Sequence, residues 1–249
     1  MSAMAGVGGL PSQASACNLE AIGTAAFKAA IDGRTIALTD GRQIRLAAIE
    51  TPRDEVRGAA AREAIETLLA GREISLKRLG HDGDRHGRVI AFAFLGNDDQ
   101  SVQAALLAAG HARVAAWVGD RGCALELLRS ERQARLDRLG IWTDPHYVIR
   151  RSERPAEVLA ERGRFALVEG QVLSVRESGG TIYVNFGRRW SEDFTVTVPK
   201  RLERTFTAAG LELKNLSGWR VRVRGVVEER GGPWIEAVRP EQIEIATGS

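Results

Sequence analysis

Residues 31–52 read IDGRTIALTDGRQIRLAAIETP, and the apolar residues Ile36, Leu38, Ile44, Leu46 and Ala48 fall at alternate positions on either side of Asp40-Gly41. A period of two puts these side chains on one face of an extended backbone. Asp-Gly between two such runs closes a tight hairpin. A lone hairpin is marginal in water, so its apolar face must be covered by more strands or by helices. Glu50-Thr51-Pro52 ends the second strand, because proline cannot donate to a ladder.

The flanking sequence supplies that cover. Phe27 to Ile31 reads as a preceding strand, and Arg57 to Leu69 carries apolar residues at helical spacing until Gly71 stops the run. Glu73 to Leu79 and Val89 to Leu95 read as further strands, joined by GHDGDRHG, a loop of turn-forming residues. Strand, strand, strand, helix, strand, strand is the order of the OB-fold, a small five-stranded barrel. Two helices follow, Val102 to Ala109 before Gly110 and Cys123 to Leu139 before Gly140, the latter with a stripe at Leu125, Leu128 and Leu136. Trp142 in Gly140-Ile141-Trp142 reads as a core anchor.

Three separated motifs carry a family resemblance. Asp32-Gly33-Arg34-Thr35, then residues 40–52, then Asp84-Arg85-His86-Gly87-Arg88 resemble, in order, the motifs of the staphylococcal-nuclease (thermonuclease) domain, over roughly residues 25–143. The resemblance implies an OB barrel that cleaves phosphodiesters by in-line attack of water. In that chemistry calcium is held by two carboxylates and a threonine carbonyl, a glutamate handles the water, and two arginines neutralise charge growing on the phosphate. Carried over, Arg45 and Arg88 fall at the phosphate clamp, while Glu50 and Thr51 fall at a calcium carboxylate and the carbonyl ligand. Arg34 stands at the other metal-binding aspartate, and Arg53 at the catalytic glutamate.

Summed over these positions, a site of net charge −1 becomes Glu50 against Arg34, Arg45, Arg53 and Arg88, net +3. Two unit charges about 4 Å apart at an effective dielectric near 20 interact by about 4 kcal/mol. Calcium is therefore expected to be repelled and a phosphate to be drawn into an anion pocket of Arg34, Arg45, Arg53 and Arg88. Asp54 and Glu55 are the candidates for a rebuilt base. The aromatic positions of the family's nucleotide pocket hold Ala116 and Val118, with Trp117 between them. His81, His86, His111 and His146 are too scattered to suggest a metal centre.

Residues 144–164, with Pro145 and Pro155, read as a surface linker. Beyond it Phe165 to Val175, Thr181 to Phe186, Asp193 to Val198, Trp219 to Val227 and Trp234 to Ile245 read as strands, and Pro199 to Ala209 as a helix. The order repeats that of the first half and predicts a second OB-like β-barrel over 165–249. The fold class is thus mainly β with packed helices (α+β), with residues 1–19 as a disordered or signal-peptide remnant and 20–143 as the first domain. Arg220, Arg222 and Arg224 share one strand face, with Tyr183, Phe186, Trp190 and Phe194 nearby. Arginines and aromatics on OB strands are what a single-strand binder uses. The same residues also suit a packed barrel with ion-paired arginines.

A chain of 249 residues and formal charge +3 permits a polyanionic partner without demanding one, and it contains no apolar run long enough to span a bilayer. Ala14-Ser15-Ala16 before Cys17 has a signal-peptidase pattern behind a feeble apolar segment, which leans toward a periplasmic or secreted location and leaves a cytoplasmic one open. After export Cys17 and Cys123 could pair. Three functions stay open. One is binding of nucleic acid or another phosphorylated polyanion, with weak or no phosphodiesterase activity. The others are a nuclease with a rebuilt metal and base site, and an exported structural or interaction module.

Overall fold

The computed structural model describes residues 17–246 apart from 53, 81, 82, 85, 97, 98 and 190, together with all but the side chain of Glu55. The expectations for residues 1–16, Arg53, His81 and Trp190 lie outside the described residues.

The first half is a closed five-stranded barrel in the order β1-β2-β3-β6-β5. Its strands are β1 (Glu20–Asp32), β2 (Thr35–Leu38), β3 (Gln43–Leu46), β5 (Glu73–Arg78) and β6 (Val89–Leu95). Between β3 and β5 come the two-residue strand β4 (Ile49–Glu50) and helix α1 (Glu55–Leu69). Strand β1 begins well before Phe27 and serves twice, pairing through Glu20 to Ala26 with β5 and through Phe27 to Asp32 with β2. Register shifts at Ala21/Gly23, Phe27/Ala29 and Ala30/Asp32 bend it around the barrel. The Asp40-Gly41 hairpin pairs Ile36 with Ile44, and those side chains with Leu38 and Leu46 fill the interior. Ala48 packs half-buried against the same core, but from outside the strand. It sits at φ 63°, where the chain leaves β3 and turns into β4.

Helix α1 is capped by Asp54 and lays Ala61, Ile65 and Leu69 against the barrel. Helix α2 (Val102–Ala108) is capped by Ser101 and pinned to β6 by buried Gln103, which accepts from Ala93 N at 3.2 Å and donates to Ala91 O at 2.9 Å. Strand β7 (Arg113–Val114) pairs with β4, and helix α3 (Arg121–Leu136) follows. Cys17 and Cys123 form a disulfide that ties the chain ahead of β1 to the first turn of α3. Gly110 and Gly140 touch backbone to backbone, and a Cβ on Gly140 would lie 2.3 Å from Gly110 O. Ile141 and Trp142 are buried with Ala134 and with Leu167 of the second half, so Trp142 anchors the junction as well as its own unit.

The segment 144–164 is more than a surface linker. It contains β8 (Arg150–Arg151), paired in parallel with β9 (Phe165–Gln171), and α4 (Pro155–Leu159), whose Val158 is buried in the second core. The rest of the second half comprises β10 (Ser174–Ser178), β11 (Thr181–Asn185), β12 (Thr195–Pro199), α5 (Glu203–Ala208), β13 (Arg220–Val226), β14 (Glu228–Arg230), β15 (Gly232–Glu236) and β16 (Ile243–Ile245). It is β-rich as expected, but its strands divide between two sheets, β10-β11-β12-β15-β14 and β16-β13-β9-β8.

Two breaks account for the division. The run 165–175 is interrupted at Val172, whose N–H and carbonyl bond Trp219 O and Gly218 N, so β9 and β10 enter different sheets. Trp234 to Ile245 is interrupted by a short 3-10 helix at Pro240–Gln242. Pro199 closes β12 and precedes a 3-10 turn, Lys200–Leu202, that leads into α5. Between the sheets lies one core that includes Val168, Ile182, Phe194, Phe206, Val221 and Ile235.

Candidate phosphate-binding cleft

The turn from β1 to β2, the outer face of β3, the start of α1 and the loop before β6 enclose an open cleft of about 670 Å³. Strand alternation places Arg45 here, because Ile44 and Leu46 on either side of it point inward. Gly33 lets the turn approach α1, since a Cβ there would stand 2.9 Å from Ala61 Cβ and 3.2 Å from Thr51 Oγ1. Asp32 organises the turn by accepting from Arg34 N at 2.8 Å and from Thr35 Oγ1 at 3.0 Å. Arg34, Arg45, Thr51 and Arg88 all line the cleft, joined by Asp54, Arg62 and His86.

The arginines are held differently from one another. Arg34 Nη1 lies 2.7 Å from Glu50 Oε2 and donates to Ile49 O at 3.2 Å, so its guanidinium occupies the coordinating side of the Glu50 carboxylate. Arg45 Nη1 donates to Thr35 Oγ1 at 3.3 Å and stands 4.0 Å from Asp32, which leaves most of its fork unengaged. Arg88 is locked to Asp84, with Nε at 2.7 Å and Nη2 at 2.6 Å from Oδ2. Asp84 Oδ1 also accepts from the backbone of His86 and Arg88. The Arg88 side-chain bond, with those backbone bonds, brings the Asp84 carboxyl down to about 2. Arg62 is exposed and forms no ion pair among the described residues.

Charge reversal summed over motif positions is therefore overstated. Asp32, Asp54 and Asp84 join Glu50 around the cleft, and three of its arginines face a carboxylate within 4.0 Å. The difference that remains is the nature of the cation. A fixed guanidinium pairs with Glu50, and a calcium ion there would face the Arg34 charge with one carboxylate lost from the donor set. Glu50 is thus committed to Arg34 rather than open toward a divalent cation.

Asp54, a candidate for a rebuilt base, is occupied as the cap of α1. It accepts from Arg57 N at 2.9 Å, pairs with Arg57 Nη1 at 3.2 Å, and has its carboxyl lowered chiefly by that backbone bond. Asp84 and Arg62 reach the cleft at positions to which the motif chemistry assigns no role. Asp84 has an available signal, an aspartate bonding its own backbone two residues on, in a loop that ends at a site arginine.

The second arginine group is not a free basic face. Arg224 is fully buried between Glu131 and Glu244. Arg222 and Arg220 both bond Glu169, which Arg151 also approaches at 3.7 Å. Across the sheet Arg151, Glu169, Arg222 and Glu244 sit in register as a ladder of alternating charge. Phe194 is buried and packs on Phe186 at 5.0 Å, so these aromatics serve the core.

Other sequence candidates are also engaged elsewhere. Ala116 and Val118 lie outside the cleft lining, and Trp117 is exposed near Arg239. His146 pairs with Asp144, His111 is half-buried with its pKa lowered by that burial, and the cysteines are joined to each other.

The family described as staphylococcal nuclease homologue matches residues 43–144, a span that begins after the Asp32-to-Thr35 turn. Protein ParB of Escherichia coli is 31% identical over 129 residues, which cover 47% of this chain and 71% of that protein. With the closed barrel and the clustered arginines, this places the chain in the family of staphylococcal nuclease homologues, a nuclease-like, nucleic-acid-binding family.

Proposed function

We propose that this protein binds nucleic acid, or another phosphorylated polyanion, through the Arg34, Arg45, Arg62 and Arg88 cleft, with little or no calcium-dependent phosphodiester cleavage. The observation that carries the reading is the 2.7 Å pair between Arg34 and Glu50, a cation built into the chain beside the remaining acidic ligand position. Arg45 and Arg62 keep donors free for phosphate oxygens, and Arg88 is oriented by Asp84 with N–H groups to spare. The rebuilt-nuclease reading is weaker, because Asp54 is already the cap of α1 and is held as a poor base.

The Cys17–Cys123 disulfide supports an exported, oxidising location, where such bonds persist. No helix among the described residues is long and apolar enough to cross a membrane. The test is binding of a labelled single-stranded oligonucleotide in the presence of chelator. Arg45→Ala and Arg88→Ala are each expected to weaken binding about tenfold without changing the thermal midpoint by more than a few degrees. Undiminished binding by both variants would refute the cleft as the site.

A further inference from the structure

A second groove, of about 590 Å³, runs between α3 of the barrel unit and the α5 and β16 region of the second unit. Its floor is aliphatic, with Ala124, Leu128 and Leu211 among the contributors, and arginines stand along its rim. The acids beside it are committed to the fold. Asp120 accepts from Cys123 N, Glu241 accepts from the backbone N–H groups of Val118 and Gly119, and Glu244 pairs with buried Arg224. Arg121 and Arg129 are exposed and form no ion pair among the described residues. Arg121 reaches across the groove, with Nη2 3.6 Å from where a Cβ on Gly210 would lie. At the mouth Trp117, 57% exposed, lies beside Gly119 and carries the Arg239 guanidinium 5.9 Å from its ring centroid.

We propose that this groove is a second contact surface for single-stranded nucleic acid, with phosphates on Arg121 and Arg129 and a base stacked at Trp117. The proposal rests on the nucleic-acid reading above but on a different set of residues. Exposed guanidinium groups outside any ion pair among the described residues, with Glu126 the acid whose charge Arg129 feels, select an anion, and an apolar floor requires that the anion have an apolar body. Inorganic phosphate lacks one. A duplex hides its bases inside, out of reach of the apolar floor and the indole, and the groove's volume is that of a site for a small planar group, about 300–1,000 Å³. A single strand offers phosphates and planar apolar faces together, and an exposed indole under a guanidinium is a platform for such faces. An acidic amphipathic helix would satisfy the rim and the floor but would make no use of the indole.

The test uses the full chain, a labelled oligothymidylate and linear polyphosphate, both with chelator. Arg121→Glu with Arg129→Glu is expected to weaken both ligands about tenfold or more and to flatten the salt dependence of oligothymidylate binding by about 1–2 in the log–log slope. Trp117→Ala is expected to weaken oligothymidylate about fivefold or more and to leave polyphosphate unchanged. These residues are exposed, and an unchanged thermal midpoint verifies that the variants fold. The proposal is overturned if both groove variants bind oligothymidylate like the natural protein while Arg88→Ala does not, a result that leaves the cleft intact as a site. It is equally overturned if an acidic amphipathic peptide binds and is lost in the arginine variant while oligothymidylate binding is untouched. Failure of the unmodified protein to bind any single strand would overturn the nucleic-acid reading as a whole.

Discussion

Arg224 and Glu131, from opposite halves of the chain, meet in a fully buried pair, with Nη2 3.0 Å from Oε1 and Nη1 3.0 Å from Oε2. Between them they take both backbone groups of Val114, whose N–H donates to Glu131 at 2.6 Å and whose carbonyl accepts from Arg224 at 2.9 Å. Val114 lies on β7, opposite Ile49 of β4, next to Glu50, the partner of Arg34. The second unit is thereby fastened to the strand pair whose Glu50 holds Arg34 of the candidate site. Burial opposes the charge on both partners, yet the Glu131 carboxyl is held low and the Arg224 guanidinium high by their mutual attraction and by Glu244 and Arg135.

Removing one partner of such a pair strands a buried charge, so Arg224→Met is expected to destabilise the protein by about 3–5 kcal/mol. Arg224→Met with Glu131→Leu should cost clearly less than the sum of the single changes. Denaturant unfolding of the four proteins measures both quantities.

The same pair sets an acid limit. A carboxyl lowered by folding contributes stability that is fully present above its unfolded pKa, near 4.3–4.5, and that is lost as pH falls through the folded value. Protection of the Val114 amide from exchange should therefore hold from pH 7 to about 5 and decline in more acid solution. Asp84 should release the Arg88 loop only as pH approaches about 2. A decline in Val114 protection on going from pH 5 up to pH 7 would contradict the assignment.

The Cys17–Cys123 bond closes a loop with a sequence separation of 106. A loop of that length corresponds to about 4–5 kcal/mol in the chain-entropy model. Cys17→Ser with Cys123→Ser should lower the denaturant midpoint accordingly, and thiol labelling of the native protein should find neither sulfur free.

A fragment starting at Phe165 lacks β8 and Val158, so it should fold poorly, whereas one starting at Tyr147 retains both. Amide dispersion of the two fragments decides between these boundaries.

The elements most legible in the sequence are those with strict periodicity. Ile36, Leu38, Ile44 and Leu46 gave the hairpin away by alternation, and α1 shows its helical spacing up to Leu69. The first half of β1 is Ala- and Gly-rich with little β-propensity of its own, and pairing with β5 imposes the strand. Arg224 has the same alternate spacing as Arg220 and Arg222, and only packing under α3 makes it a buried clamp rather than a surface cation. In the cleft, the positions of Arg34, Arg45 and Arg88 were readable from motifs. The neutralising role of Asp32, Asp54 and Asp84 was not, because it depends on which loops converge.

Arg34→Asp with Arg53→Glu should restore the missing carboxylates and create measurable calcium affinity, together with some nuclease activity. Isothermal titration with calcium chloride checks the first, with the natural protein as the silent control.

The most direct test of the central claim is a paired assay of the unmodified protein on single-stranded DNA, once with calcium and once with chelator, following binding and cleavage together. The account predicts retained binding in both conditions, with cleavage absent or at least about a hundredfold below that of the carboxylate-restored variant. Robust calcium-dependent digestion by the unmodified protein, abolished by chelator, would contradict it.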